Sequence, residues 1–172
     1  NNFVHWGTSQ IYVLGPALMA ITSVETPDYV IHLEGSEVDG MTHYEVVEEI
    51  VNFIAESQVK LGPGVGLWYY VHPTTTGDMS IAGWTTLGLS YAKEKFGIEL
   101  PQTMLDYLDE GIDIVLWDDD PEHELYGGAG YTSSNTIENS YRDWINIHEV
   151  GHLLSMLELV GDPIDSPRVQ IG

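Results

Sequence analysis

The sequence contains no cysteine and very few basic residues. Without cysteine, no disulfide can cross-link the fold and no thiolate can hold a metal ion. Five Lys and Arg residues stand against 27 Asp and Glu residues, which leaves a formal net charge of −22. A chain this acidic repels nucleic-acid phosphates and anionic lipids, so we predict that it binds neither. An acidic, lysine-poor surface also stays hydrated at high salt, which favours a salt-rich habitat.

Long apolar runs are absent too, because no stretch reaches the ~18 consecutive apolar residues of a membrane span. The length of 172 residues predicts a single domain over residues 1–172. The chain starts at Asn1 rather than Met, which suggests a processed product and an extracellular location. Residues 1–26 are weakly patterned, and we interpret them as an N-terminal extension or the remnant of a pro-segment. These features do not predict an oligomeric state.

Three short apolar runs predict β-strands at residues 29–33, 67–71 and 112–117. Thr42 and Glu45 have the spacing of a capping box, which predicts a helix between the first two strands. The order strand, helix, strand predicts a parallel pair with a right-handed crossover. Residues 74–88 are rich in Thr and Gly, and we expect an irregular segment there.

Three residues near the end of the chain carry the clearest chemical signal: His148, Glu149 and His152 spell H-E-x-x-H. On a helix, residues i and i+4 lie on one face, so the two histidines can hold one metal ion between them. Imidazole suits zinc, and a catalytic zinc keeps one position open for water, whose pKa it lowers to roughly 7. We predict Glu149 as the general base that takes a proton from this water. The competing interpretation is an amphipathic helix that carries two ordinary histidines.

A glycine-rich segment, residues 125–131, comes shortly before the motif. In an edge strand, Gly128, Ala129 and Gly130 would let a peptide substrate approach and pair through main-chain hydrogen bonds. A simple glycine hairpin explains the same residues equally well. The acidic run at residues 118–124 lacks the spacing of a calcium-binding loop, and a solvated loop is the preferred interpretation.

The motif and the glycine-rich segment together resemble the zincin metallopeptidases, and within them the metzincin pattern H-E-x-x-H-x-x-G-x-x-H. Here the pattern continues as H-x-x-S-x-x-E, with Ser155 in the glycine position and Glu158 in the position of the third ligand. The resemblance implies an α+β fold in which a small mixed sheet with an antiparallel edge strand and a backing helix accompany the H-E-x-x-H helix. It also implies a zinc metalloendopeptidase that acts on peptides or proteins. The implied zinc ligands are His148, His152 and Glu158, with Glu149 as general base.

The third ligand depends on the path of the chain after His152. In a straight helix, Glu158 would lie ~15 Å along the axis from His148 and about 280° around it, too far to share its metal ion. A break in the helix near Ser155 would bring the Glu158 carboxylate within reach of that metal ion. Without a break, Asp162 or Asp165, just beyond a cap at Gly161, becomes the better candidate.

A second functional class is compatible with the same residues. The metzincin Met-turn does not follow the motif, and the third ligand is atypical. A catalytically inactive zincin-like binding or scaffold domain is therefore the alternative to a peptidase.

Overall fold

The computed structural model describes residues 11–116, 121–122, 124, 126–131 and 147–171, and of Ile147 and His148 only the backbone. Helices account for 56% of the described residues, which include no sheet. The predicted α+β fold with a mixed sheet and an antiparallel edge strand is therefore wrong. The described helices are α1 (Ile11–Ser23), α2 (His43–Ser57), α3 (Met79–Phe96), α4 (Gln102–Val115), α5 (Ile147–Val160) and α6 (Pro167–Ile171).

The three predicted strands take three different structures. Residues 29–33 contribute only an isolated antiparallel bridge between Val30 and Thr42. Leu67 and Trp68 are fully buried in non-repetitive chain, where the Leu67 carbonyl accepts from the Val59 amide at 3.0 Å. Residues 112–115 belong to α4. The predicted parallel pair with its crossover is therefore also wrong, since no described residue of these runs lies in a strand and only Trp117 falls outside the described residues.

The capping box of α2 is confirmed. Thr42 Oγ1 accepts from the Glu45 amide at 3.1 Å, and Glu45 Oε2 accepts from the Thr42 amide at 2.7 Å. Each bond satisfies an amide that the first turn of a helix leaves without an intrahelical partner. The apolar stripe that follows is buried: Val46, Val47, Ile50, Val51 and Ile54.

The longest described helix, α3, forms the centre of the packing, and α1 and α5 make the most extensive contacts with it. It begins after Asp78, whose Oδ1 accepts from the Ile81 amide at 3.1 Å, and ends at Gly97, which has a left-handed φ of 69°. The prediction of an irregular segment over residues 74–88 is therefore wrong from Met79 onward, because those residues belong to α3. Position 88, inside α3, requires glycine because a Cβ there would lie only 2.6 Å from Gly15 of α1. Glycine allows these two helices to come this close.

The C-terminal residues fold back onto α4. Helix α5 ends at Gly161, whose φ is 93° and whose amide donates to the Leu157 carbonyl at 3.1 Å, so the predicted cap is confirmed. Beyond it, the guanidinium of Arg168 in α6 donates to Asp162, Asp109 and Asp113 at 2.6–2.9 Å. One cation therefore joins three carboxylates from the end of α5 and from α4.

Asp162→Asn is expected to lower the free energy of unfolding by about 1–2 kcal/mol at pH 7. The hydrogen bond from Arg168 holds the pKa of the Asp162 carboxyl below its ordinary value of 3.8. A depressed folded-state pKa contributes stability that is fully present above the ordinary value and is lost as the pH falls through the lowered one. Urea unfolding of the native chain and the variant should thus differ most at pH 7 and converge in acid. Asp165→Asn, at an exposed neighbour, is the control, and equal losses in both variants would contradict this prediction.

In the described part of the chain, no helix combines the length and the apolarity needed to cross a membrane.

Candidate metal centre

Helix α5 carries the H-E-x-x-H motif in the helical register that the sequence predicts. Its backbone runs from Ile147 to Val160, so positions 148 and 152 lie one turn apart on the same face. Leu153 and Met156 are fully buried, whereas Leu154 is 40% exposed. Glu149 is buried together with them, so it lies on the side of α5 that faces the core.

The Glu149 side chain forms a hydrogen bond with His152, the second histidine of the motif. Its side chain is only 4% exposed, and its Oε2 lies 3.1 Å from Nδ1 of His152, whose side chain is 27% exposed. Because an ionised carboxylate can only accept, this bond requires the proton of the neutral imidazole to be on Nδ1. The lone pair of the ring is then on Nε2, as in metal-binding histidines whose other nitrogen donates to a carboxylate.

Helix α3 supports the other side of the His152 ring. Gly83 lies directly beneath it, since a Cβ on Gly83 would be 2.1 Å from Cδ2 of His152. Trp84 flanks the imidazole with a centroid separation of 6.4 Å and an interplanar angle of 55°. Trp84 itself is 36% exposed at the candidate site. The His152 imidazole therefore lies between a buried carboxylate on its own helix and a glycine and an indole on α3.

The predicted third ligands are not brought to His152. Helix α5 continues through Ser155 without a break, so Glu158 lies about 9 Å along the axis from His152, and it is exposed. Asp162 is held by Arg168, with Nε and Oδ2 2.9 Å apart, and Asp165 is exposed. Among the described residues, no group of three or more His, Asp or Glu side chains could hold a metal ion.

The glycine-rich segment is not an exposed edge strand. Ala129 is fully buried and forms an isolated antiparallel bridge with Leu116, just after α4. Gly130 is also buried, and its amide donates to the Val115 carbonyl at 3.0 Å, while Gly128 is half-buried. The Gly130 amide is therefore already engaged within the protein. Of the acidic run, Glu122 and Glu124 are described and exposed, while residues 118–120 and 123 lie outside the described residues.

Gly83, Thr86 and the hydroxyl of Ser155 are parts of the site that the sequence does not predict. Gly83 itself is the one signal in the sequence, because it stands among residues that can form a helix. Glycine weakens a helix by roughly 1 kcal/mol relative to alanine, so a glycine inside a helix indicates close packing at that position. In the sequence, Ser155 is notable only because it occupies the glycine position of the metzincin pattern. Its partner on α3 could not be identified because the two helices are far apart in sequence.

The donor described on α5 suits a zinc ion. With Nδ1 donating to Glu149, Nε2 is the nitrogen of His152 that can bind a metal ion, its side chain is 27% exposed, and position 148 lies one turn earlier on the same face. Comparison of the chain with protein-family models, with curated proteins and with solved structures finds no match.

Proposed function

We propose that this protein is a zinc-dependent metallopeptidase that hydrolyses peptide bonds. The observation that carries the proposal is the hydrogen bond between Glu149 and His152 within an H-E-x-x-H helix. It combines a metal-binding form of the imidazole with a carboxylate on the same helix. Zinc would be held by His148 and His152, and when bound it would acidify a water molecule and polarise the peptide carbonyl.

The residues of the chain have two tasks in this proposal. His152 offers Nε2 to the metal while Nδ1 donates to Glu149. Glu149 accepts the proton of the attacking water and passes it to the leaving amine. A carboxylate has about four lone-pair sites, so the bond to His152 does not exhaust its capacity to accept. Glu158 is not part of the proposal, because the unbroken α5 carries it away from the motif histidines.

The charge of the chain indicates the class of substrate. A net charge of −22 repels nucleic acids and acidic peptides, so neutral or basic peptides and unfolded proteins are the preferred substrates.

A non-catalytic metal-binding or scaffold domain is the second candidate. Two observations favour it: the Glu149 carboxylate is nearly inaccessible, and no third ligand lies beside His152 within the described ranges. In that case Glu149 would serve only to orient the ring of His152.

Metal content and proteolysis, measured on one preparation of the chain, separate the two candidates. We expect about one zinc per chain, and cleavage of a basic, unstructured peptide that stops with a chelator and returns when zinc is restored. Zinc binding without cleavage would identify the binding domain. A chain that binds no zinc would refute both metal-dependent functions.

A further inference from the structure

The contact between Gly83 and His152 is closer than any other residue type would permit. A Cβ at Gly83 would lie 2.1 Å from Cδ2, 2.2 Å from Cγ and 2.6 Å from Cβ of His152. All three distances fall far below van der Waals contact, and all three atoms are near the helix backbone rather than at a flexible tip. The imidazole therefore rests on the bare backbone of α3 at this position.

A pair of hydroxyls lies one turn further along both helices. Thr86 Oγ1 and Ser155 Oγ are 3.0 Å apart, and each is also close to the carbonyl three residues earlier on its own helix. Thr86 Oγ1 is 3.1 Å from the Gly83 carbonyl, and Ser155 Oγ is 2.7 Å from the His152 carbonyl. Each hydroxyl has a single proton, so one donates across the helix pair and the other donates to its own carbonyl.

The two contacts together define the register of α5 on α3. Gly83 and Thr86 are three residues apart, as are His152 and Ser155, so the ring contact and the hydroxyl contact lie side by side. Thr86 is completely buried, and burial makes a lost hydrogen bond costly. Sliding or rotating α5 along α3 would break the hydroxyl pair and would also lift the imidazole off Gly83.

We propose that Gly83, with the Thr86–Ser155 hydroxyl pair, positions the His152 imidazole for metal binding. These three are positioning residues, because they act on the metal only through His152. Glu149 sets which ring nitrogen is protonated, while α3 sets where the ring lies. This inference rests on the proposed function, and it gives Ser155 a role within a continuous helix.

Gly83→Ala tests the inference, with Gly88→Ala as a matched control. Both substitutions add one methyl group to α3, but a Cβ at position 88 would meet Gly15 of α1 rather than α5. We measure the zinc Kd of the folded full chain by competition with a chromophoric chelator, well below the Tm of each variant. Gly83→Ala should weaken zinc binding on the order of 10–100-fold, as loss of support around a metal ligand typically does. Gly88→Ala should lower Tm and leave the zinc Kd unchanged.

Two further measurements keep the test decisive. Ser155→Ala removes a hydroxyl without adding volume, and it should weaken zinc binding several-fold even if Gly83→Ala does not fold. The visible spectrum of the cobalt-substituted protein should change in Gly83→Ala and Ser155→Ala but not in Gly88→Ala, because it reports ligand geometry rather than stability. Native-like zinc affinity and cobalt spectra in folded Gly83→Ala or in Ser155→Ala would overturn the inference alone. A native chain without zinc affinity would remove the proposed function together with it.

Discussion

Glu149→Gln is expected to reduce peptide hydrolysis by about 10²–10⁴-fold while zinc remains bound. Glutamine keeps a carbonyl oxygen that can accept from Nδ1 of His152, which Glu149 Oε2 does now at 3.1 Å. His152 should therefore keep its proton on Nδ1 and its metal-binding lone pair on Nε2. An amide cannot take a proton from water near neutral pH, so only the general base is lost. The measurement is kcat/KM on an unstructured peptide, with the zinc content determined on the same sample.

Glu158→Gln is the matched control for this prediction. It makes the same chemical change on the same helix, but Glu158 is exposed and lies about 9 Å along the axis from His152. We expect unchanged kcat/KM and unchanged zinc content. Retained turnover in Glu149→Gln would remove Glu149 as the base. Loss of zinc in Glu158→Gln would show that Glu158 contributes to the metal site despite its distance from His152 along α5.

Gly66→Ala is expected to lower the free energy of unfolding by about 3 kcal/mol or more, the largest stability change that we predict. Gly66 is buried with a φ of 82°, and a Cβ there would lie 1.9 Å from the Tyr107 carbonyl oxygen and 2.7 Å from the Gly111 amide. Its own amide donates to the Val59 carbonyl at 2.8 Å, and its carbonyl accepts from Gln58 Nε2 at 2.9 Å. The loop cannot move away without breaking these bonds.

Gly35→Ala separates the two components of this effect. Gly35 has the same φ of 82°, but a Cβ there would meet nothing within 4 Å. It should therefore show only the left-handed backbone penalty, ~1 kcal/mol. Urea unfolding of both variants gives the comparison. Equal destabilisation at the two positions would show that the loop around Gly66 adapts to a side chain, contrary to the contacts with α4.

Local signals in the sequence predicted two helix boundaries correctly. The capping box at Thr42 and the glycine at 161 depend on hydrogen bonds between residues only a few positions apart. Such bonds form in any context where the helix itself forms, so their residue types are visible in sequence.

The strand predictions failed because a short apolar run indicates burial but not backbone conformation. Trp68 is fully buried, yet its indole donates to the Ile54 carbonyl at 2.8 Å and its own carbonyl accepts from the Asp78 amide at 2.9 Å. The Asp78 amide thus gives the Trp68 carbonyl the partner that a neighbouring strand would otherwise supply. At residues 112–115, an apolar run of similar length completes α4 instead.

The candidate site was predictable in part. The H-E-x-x-H helix follows from spacing alone, but the environment of its residues does not. Glu149 was expected beside the metal-bound water, and the structure gives it His152 as a hydrogen-bond partner. Whether Glu158 could reach the metal depended on a helix break that α5 lacks.

The sequence by itself determined which chemical groups are present: two histidines and a glutamate at helical spacing, no thiolate, and a strongly acidic surface. Those properties depend on residue type and on relations within a single turn. Only the tertiary structure decided which face of α5 is buried and that Gly83 supports His152. Thr86 and Ser155 are 69 positions apart, and their contact exists because α3 and α5 pack together. No local pattern encodes the relative placement of two helices, because it results from the packing of the whole core.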